Sequence, residues 1–494
     1  MTWLFFQAVV SGLLLGGVYG LVASGLSLIF GVLRIINFAH GAVMMLGMYT
    51  SYWLFVLLGV DPYLSILVTG PLFFGIGVLI QRVVIEPNRA AAEHNQLLLT
   101  LGLALFFENL ALVLWQGDFR TVRVAYSGAS FMVADVLVEV PRLVAAGGAV
   151  LIALALWAFL RMTDAGKAIR ALSEEAEGAM LVGIDVSRIR GVAFGIGSAC
   201  VAVAGALVTP FFYVAPDVGE SFNIMAFVVV VLGGMGNFLG ALLGGFIVGL
   251  AESLGAAFLP GSLKQLVVFG LFAGYLSFRY GLRGPYFSLV TLAFAEMLRV
   301  VAVNWKAVGS SLGLVVPSRG SAPMQFIFAD KLPYYYVILV MVLGALLICR
   351  TLERSRMGYA LAAIRENEDA AEASGVNALA TKLSAMALSS FLTALGGTFY
   401  AQYFAYIDPS LTFGPAISIG GLLPAIVGGA GTVAGPLLGS FVLTPISEIT
   451  RAALRGRAGA DIMLYGLILI LVISYLPNGL MGWLRSRRPS GRPA

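Results

Sequence analysis

Apolar runs long enough to cross a bilayer follow one another from end to end of this chain, with few charges between them. Of its 494 residues, 60% are hydrophobic and 11% charged, against roughly 45–50% and 25% in soluble domains. So few charges cannot cover a soluble protein of this length, and lipid must solvate much of its surface. About 20 residues cross a bilayer as a helix. By that rule, spans fall near 4–30, 36–59, 63–86, 95–115, 142–161, 191–213, 222–235, 238–258, 264–279, 286–305, 333–351, 383–404, 415–429, 432–453 and 461–477. The expected fold is all-α, a polytopic transmembrane helical bundle of about 15 spans. Runs broken by Gly or Pro fit re-entrant or broken helices, which are tolerated only inside the protein. The first run lacks a charged leader and is too long for a cleaved signal peptide, so it reads as the first span.

Lys and Arg set the orientation. They cluster at Arg34, Arg82 and Arg89, over 161–190, at Arg279 and Arg283, over 350–382, and in a basic tail at 485–494. With the N-terminus outside, all of these fall on the cytoplasmic side, whereas Arg451, Arg455 and Arg457 fall outside. The net charge of +5 belongs to such loops and points to lipid rather than nucleic acid.

Enzyme chemistry finds no support. Cys200 and Cys349 sit in apolar surroundings and read as core residues. His40 and His94 form no ligand pair. The one Gly-Lys dipeptide, Gly166-Lys167, precedes Ala168, whereas a phosphate-binding loop needs Ser or Thr there. No cofactor or metal is expected, and if ATP drives this protein another chain must bind it.

The most informative feature is an internal repeat. GKAIRALSEEAEGAMLVG (166–183) matches GYALAAIRENEDAAEASG (358–375) at an offset of 192. Gly166 pairs with Gly358, Glu174 with Glu366, Ala179 with Ala371 and Gly183 with Gly375. Downstream, GGMGNFLGALLG (233–244) matches GGAGTVAGPLLG (428–439) at an offset of 195. Thr100 and Thr291 occupy similar upstream motifs. Residues 1–60 have no counterpart in the second half. Two parallel repeats imply a pseudo-twofold axis along the membrane normal, with a path between the halves.

Each copy of the polar loop favours a short surface helix ended by glycine. Such a helix lies outside the bilayer, because its carboxylates are costly in lipid. Gly166, Arg170, Glu174, Glu175, Ala179 and Gly183, with Gly358, Arg365, Glu366, Ala371 and Gly375, therefore mark either coupling helices that dock on a soluble motor or plain solvated loops. Gly236, Gly240 and Gly244, and likewise Gly431, Gly435 and Gly439, are spaced by four and read as close-packing helix faces. Together with Gly233, Gly234, Gly428 and Gly429 they also suit a hinge. The intramembrane polar residues Asn37, His40, Glu108, Glu252 and Glu296 are pathway candidates or structural hydrogen bonders.

At these motifs a family resemblance emerges. INFAHGAVMMLGMY (36–49), AGKAIRALSEEAEGAMLVGID (165–185) and VVVLGGMGNFLGALLGGFIVG (229–249) resemble the LivH-type permease of branched-chain amino acid ABC importers. LRGPYFSLVTLAFAE (282–296), MGYALAAIRENEDAAEASGVN (357–377), IVGGAGTVAGPLLG (426–439) and LPNGLMG (476–482) resemble its LivM-type partner. The resemblance implies a fusion, with a LivH-like domain over 1–270 and a LivM-like domain over 271–484 that lacks its first spans. It implies two ABC ATPase subunits that bind ATP, a periplasmic substrate-binding protein, a bacterial inner membrane and alternating access. Its substrates are branched-chain or related amino acids, with urea or short amides as the alternative. An ion-coupled secondary transporter and a non-transporting fusion remnant are the competing classes.

Overall fold

In lipid a chain satisfies its backbone groups only as helix or in a closed β-barrel, and the described residues are overwhelmingly helical. The computed structural model describes residues 2–89, 91, 93–133, 135–258, 265, 268, 285–315, 328, 330–453, 457–476 and 479–486. The helices begin with α1 (Thr2–Leu33), α2 (His40–Leu58), α3 (Ile66–Ile80), α4 (Glu93–Trp115) and α5 (Val140–Met162). Two short helices, α6 (Asp164–Glu174) and α7 (Ala176–Leu181), precede α8 (Val186–Val208), α9 (Val218–Gly233) and α10 (Phe238–Phe258). Then come α11 (Pro285–Asn304), α12 (Lys331–Glu353), α13 (Arg356–Glu366), α14 (Glu368–Ala373) and α15 (Ala378–Phe404). The chain closes with α16 (Pro409–Thr412), α17 (Pro415–Gly429), α18 (Gly435–Ala453), α19 (Ala460–Tyr475) and α20 (Gly479–Ser486). The described strands form two antiparallel pairs, β1 (Ser130–Val133) with β2 (Val136–Glu139), and β3 (Leu314–Val315) with β4 (Tyr406–Ile407).

Among the described residues, ten helices are long and apolar enough to cross a membrane, and Val218–Gly233 and Ile417–Gly429 are shorter apolar helices. The chain is a multi-pass helical membrane protein. The runs read near 286–305 and 432–453 are helical, as α11 and α18. The run near 264–279 lies almost wholly outside the described residues, as do Arg279, Arg283, Arg455 and the side chain of His94. Cys200 is buried in α8, while Cys349 is only half-buried on α12.

Contacts group the chain into two compact units, Met1–Val301 with Gly439–Ala494, and Ala302–Leu438. In the first unit α1 lies along α10. Gly12, Gly16 and Gly20 recur every fourth residue on α1 and meet Gly245 and Gly249 of α10. A Cβ at Gly12 would sit 2.8 Å from the Gly249 carbonyl oxygen. Small residues allow this approach where packing, not hydrophobicity, drives helix association. The core of the unit holds Leu21, Leu26, Ile29, Met44, Met48 and Phe194, all fully buried.

Loops at the two ends of the first unit are tied separately. At one end Arg34 Nη2 donates to the Glu174 carbonyl (3.4 Å) and Arg190 lies 3.8 Å from Glu86. At the other, Gln7 Nε2 donates to the Leu137 carbonyl (2.9 Å), and Arg120 bridges to Val214. There the Tyr126 hydroxyl also meets both oxygens of Asp61 (2.9 and 2.7 Å). The first end carries more arginines, Arg34, Arg82, Arg89, Arg161, Arg170, Arg188 and Arg190 against Arg120, Arg123 and Arg142 at the other, and the charge rule reads the richer end as cytoplasmic. In the second unit, Tyr335, Val340, Leu343 and Leu347 of α12 and Leu383, Met386 and Phe391 of α15 are exposed. Such faces suit lipid as solvent.

Candidate coupling and translocation sites

The repeated polar loop folds twice into the same object. It differs from the expected single surface helix: each copy is two helices, α6 with α7 and α13 with α14. The break falls at Glu175 (φ −149°, ψ 114°) and at Asn367 (φ −158°, ψ 114°), extended residues that occupy the cap position of the second helix. No Gly or Pro marks the break in the first copy. Thr163 and Ser355 cap the first helices, their hydroxyls accepting from Gly166 N (3.0 Å) and Gly358 N (3.2 Å). Gly166 and Gly358 lie under the last turn of the preceding span, where a Cβ would meet the backbone of Leu160 or Glu353. The second helices end in matching turns. Gly183 N donates to Met180 O (3.0 Å) and Ile184 N to Ala179 O (3.1 Å); Gly375 N donates to Glu372 O (2.9 Å) and Val376 N to Ala371 O (3.0 Å). This is the Schellman pattern, with glycine in the left-handed position at φ +85° and +88°.

Within each copy, Ala179 and Ala371 are buried, whereas Arg170, Glu174, Glu175, Arg365 and Glu366 are exposed. Arg365 pairs with Glu366 (3.1 Å). The tips differ in chemistry. The first presents Met180, Leu181 and Val182, with Leu181 89% exposed; the second presents exposed Glu372, Ala373 and Ser374.

The glycine series also recurs, with a correction. Gly236 and Gly431 do not share a helix face with their partners four residues on. They precede α10 and α18 and adopt φ +82° and +78°. A left-handed residue cannot continue a right-handed helix. Gly234 (φ +91°) and Gly429 (φ +123°) complete the two turns. Gly240 and Gly244 remain on α10, packed on Gly233 and on the Val229 carbonyl, and Gly435 packs on Gly429, next to Gly428.

Asn37 and His40 come together in the break between α1 and α2, both buried. Asn37 Oδ1 accepts from Ala39 N (3.1 Å) and Thr100 Oγ1 accepts from Phe38 N (3.2 Å). Asn223 of α9 clamps both sides of the break: Nδ2 donates to Phe38 O (3.0 Å) and Oδ1 accepts from Gly41 N (3.2 Å). His40 Nε2 lies 2.9 Å from the Val22 carbonyl and must be the donor, since a carbonyl only accepts. Its Nδ1 is buried with no hydrogen-bond partner among the described residues.

Glu252 lies elsewhere. It is buried on α10, where Oε2 accepts from the Tyr19 hydroxyl (2.8 Å), and it lines a cavity of about 430 Å³ in the first unit. Of the five pathway candidates this cavity takes in Glu252 alone. Glu296 is buried and paired with Arg299 (2.8 Å), and Glu108 is half-buried on α4.

A family model described as the permease component of a branched-chain amino acid transport system matches the chain twice, over residues 8–272 and 267–473. The chain belongs to this family. It is a transport permease component and not an enzyme. Within the permease family, the chain is 32% identical over 289 residues to the high-affinity branched-chain amino acid transport permease LivH of Escherichia coli K12, covering 54% of this chain and 91% of that one. It is 31% identical over 299 residues to BraD of Pseudomonas aeruginosa, covering 56% and 94%. It is 25% identical over 249 residues to LivM of Escherichia coli K12, covering 44% and 57%. A LivH-type permease fused to a LivM-type one accounts for both kinds of match. No solved structure matches this permease.

Sequence reasoning singled out neither Tyr19, Arg142 nor Asn223. Asn223 was findable, as a lone amide within the apolar run of α9. Tyr19 and Arg142 gain meaning only from the cavity they line.

Proposed function

We propose that this permease is the membrane-spanning part of an ABC importer for branched-chain or related amino acids, seated in a bacterial inner membrane. The observation that carries the reading is the duplicated unit of capped helix, extended break and glycine-ended second helix, present once in each family match. Two ABC ATPase subunits dock on these units and bind the ATP, and a periplasmic binding protein delivers the substrate. Exposed Met180, Leu181 and Val182 support docking, because apolar side chains in contact with water favour a partner's groove. Their polar counterparts at 372–374 ask for a different groove, so the two ATPase surfaces are not interchangeable.

Transport proceeds by alternating access. The ATPases move the coupling helices, and Arg34, bonded to the end of α6, passes the motion to the break that holds Asn37 and His40. The left-handed glycine turns at 234–236 and 429–431 serve as hinges. The LivH-like domain is residues 1–270 and the LivM-like domain 271–484, a division supported by two family matches that meet near residue 270.

The test is uptake of labelled leucine into proteoliposomes that hold the permease with its ATPases and binding protein. Uptake that requires internal ATP and survives ionophores is expected. Uptake driven by an ion gradient without ATP overturns the reading, and ATP-driven uptake of urea but not leucine reassigns the cargo.

A further inference from the structure

We propose that the cavity beside Tyr19 and Glu252 is a binding site for a zwitterionic amino acid with an apolar side chain, an inference that rests on the transport reading above. Its volume, about 430 Å³, lies in the range of small-molecule sites. It occupies the end of the first unit opposite α6 and α7. Its lining comes from residues 11–19 of α1, the first turn of α5, the end of α8 and the segment after it, the first turns of α9 and the last turns of α10, together with Gln265. That is the end at which substrate arrives in an importer.

The lining sorts into three chemistries. The first accepts hydrogen bonds. The Tyr19 hydroxyl orients the Glu252 carboxylate, and the buried Oε1 of Gln265 has no hydrogen-bond partner among the described residues. An ammonium group has three N–H donors and a positive charge, suited to the Glu252 carboxylate and to the Gln265 oxygen.

The second is cationic. Arg142 lines the same cavity, its Nε held by Glu139 (2.8 Å) and its guanidinium 6.0 Å from the Phe211 ring centre. A guanidinium positioned from behind presents a planar fork suited to a carboxylate.

The third is apolar: Leu15, Val18, Val208, Phe212, Phe222 and Met225. A lipid tail has no use for Glu252 and Arg142, and an inorganic ion has none for six apolar side chains. An α-amino acid with a branched aliphatic side chain uses all three.

The full chain, purified in detergent without binding protein, is tested for binding of radiolabelled L-leucine. Saturable binding is expected, with competition by valine and isoleucine. At equal concentration 4-methylpentanoate and 3-methylbutylamine should compete poorly, since each lacks one charge. Glu252→Gln keeps the Tyr19 hydrogen bond and should weaken binding about 10- to 100-fold, as should Arg142→Gln, the range for a lost charged hydrogen bond. Phe212→Ala should raise the preference for phenylalanine over leucine about tenfold, a gain that misfolding cannot produce. Leucine binding unchanged in both Glu252→Gln and Arg142→Gln overturns the site, as does equal competition by the singly charged analogues. If the wild-type chain binds no leucine while the whole assembly imports it with ATP, this site is wrong and the transport reading stands. If the assembly imports no amino acid, the transport reading itself fails.

Discussion

Thr163 and Ser355, 192 positions apart, make the same hydrogen bond: each hydroxyl accepts from the backbone N–H of the glycine three residues on, Gly166 or Gly358. Each hydroxyl also donates back to the end of the preceding span, Thr163 to the Phe159 carbonyl (2.8 Å) and Ser355 to the Leu352 carbonyl (2.7 Å). One side chain thus joins span to surface helix in both copies. Thr163→Ala and Ser355→Ala should each cost about 1 kcal/mol of local helix stability. Hydrogen exchange is expected to speed up in the substituted copy's first helix while the other copy keeps its protection.

Gly183 and Gly375 hold left-handed backbone at the ends of α7 and α14. A side chain there costs about 1–2 kcal/mol. Gly183→Val should therefore unravel the turn that presents Leu181 and reduce ATP-driven uptake, with membrane insertion intact. Proteolysis of the 176–186 segment in membranes is the check. Unchanged cleavage and uptake would show that the turn does not matter.

The apolar tip offers a contrast between copies. Leu181→Asp places a charge on the tip proposed to enter an ATPase groove, whereas Ser374→Asp alters a tip that is already polar. ATPase binding should fall at least tenfold for the first and change much less for the second, with the thermal midpoint of the purified permease unmoved in both.

Asn223 is the lock on the α1–α2 break. Asn223→Leu removes both of its hydrogen bonds and leaves Phe38 O and Gly41 N unpaired, at about 1–3 kcal/mol each. The thermal midpoint of the detergent-purified protein should drop accordingly.

The segment between α4 and α5 carries an alkaline signature. Burial, then the hydrogen bond from its hydroxyl to Asp61, raises the Tyr126 phenol above its ordinary value near 10. The folded state therefore binds that proton more tightly than the unfolded one. The stabilisation is complete below about pH 10 and is lost as pH rises through the higher folded value. Tyr126→Phe should remove that part of the alkaline decline in thermal stability. A decline identical to that of the wild type would exclude Tyr126 as its source.

Much of this was legible in the residues. Charge scarcity located the apolar helices, ten of which among the described residues are long enough to cross a membrane, and the matched glycines at 183 and 375 located the turns that end α7 and α14, because a left-handed helix end needs that residue type. The split at Glu175 was not legible, since no Gly or Pro marks it and its side chain makes no cap hydrogen bond. Spacing by four misplaced Gly236, because the rule presumes a continuous helix and α10 starts only at Phe238. The Tyr19–Glu252 bond was out of reach for another reason. Periodicity assigns a residue to a face of its own helix but not to a partner 233 positions away.

The most direct test of the central claim is to extract the tagged chain from its native membrane in mild detergent and quantify what copurifies. Two ABC ATPase subunits per permease chain are expected, one released by Leu181→Asp with Glu174→Arg and the other by replacing Arg365 and Glu366. A permease that transports leucine yet purifies without any ATPase, or retains both after all of these substitutions, would contradict it.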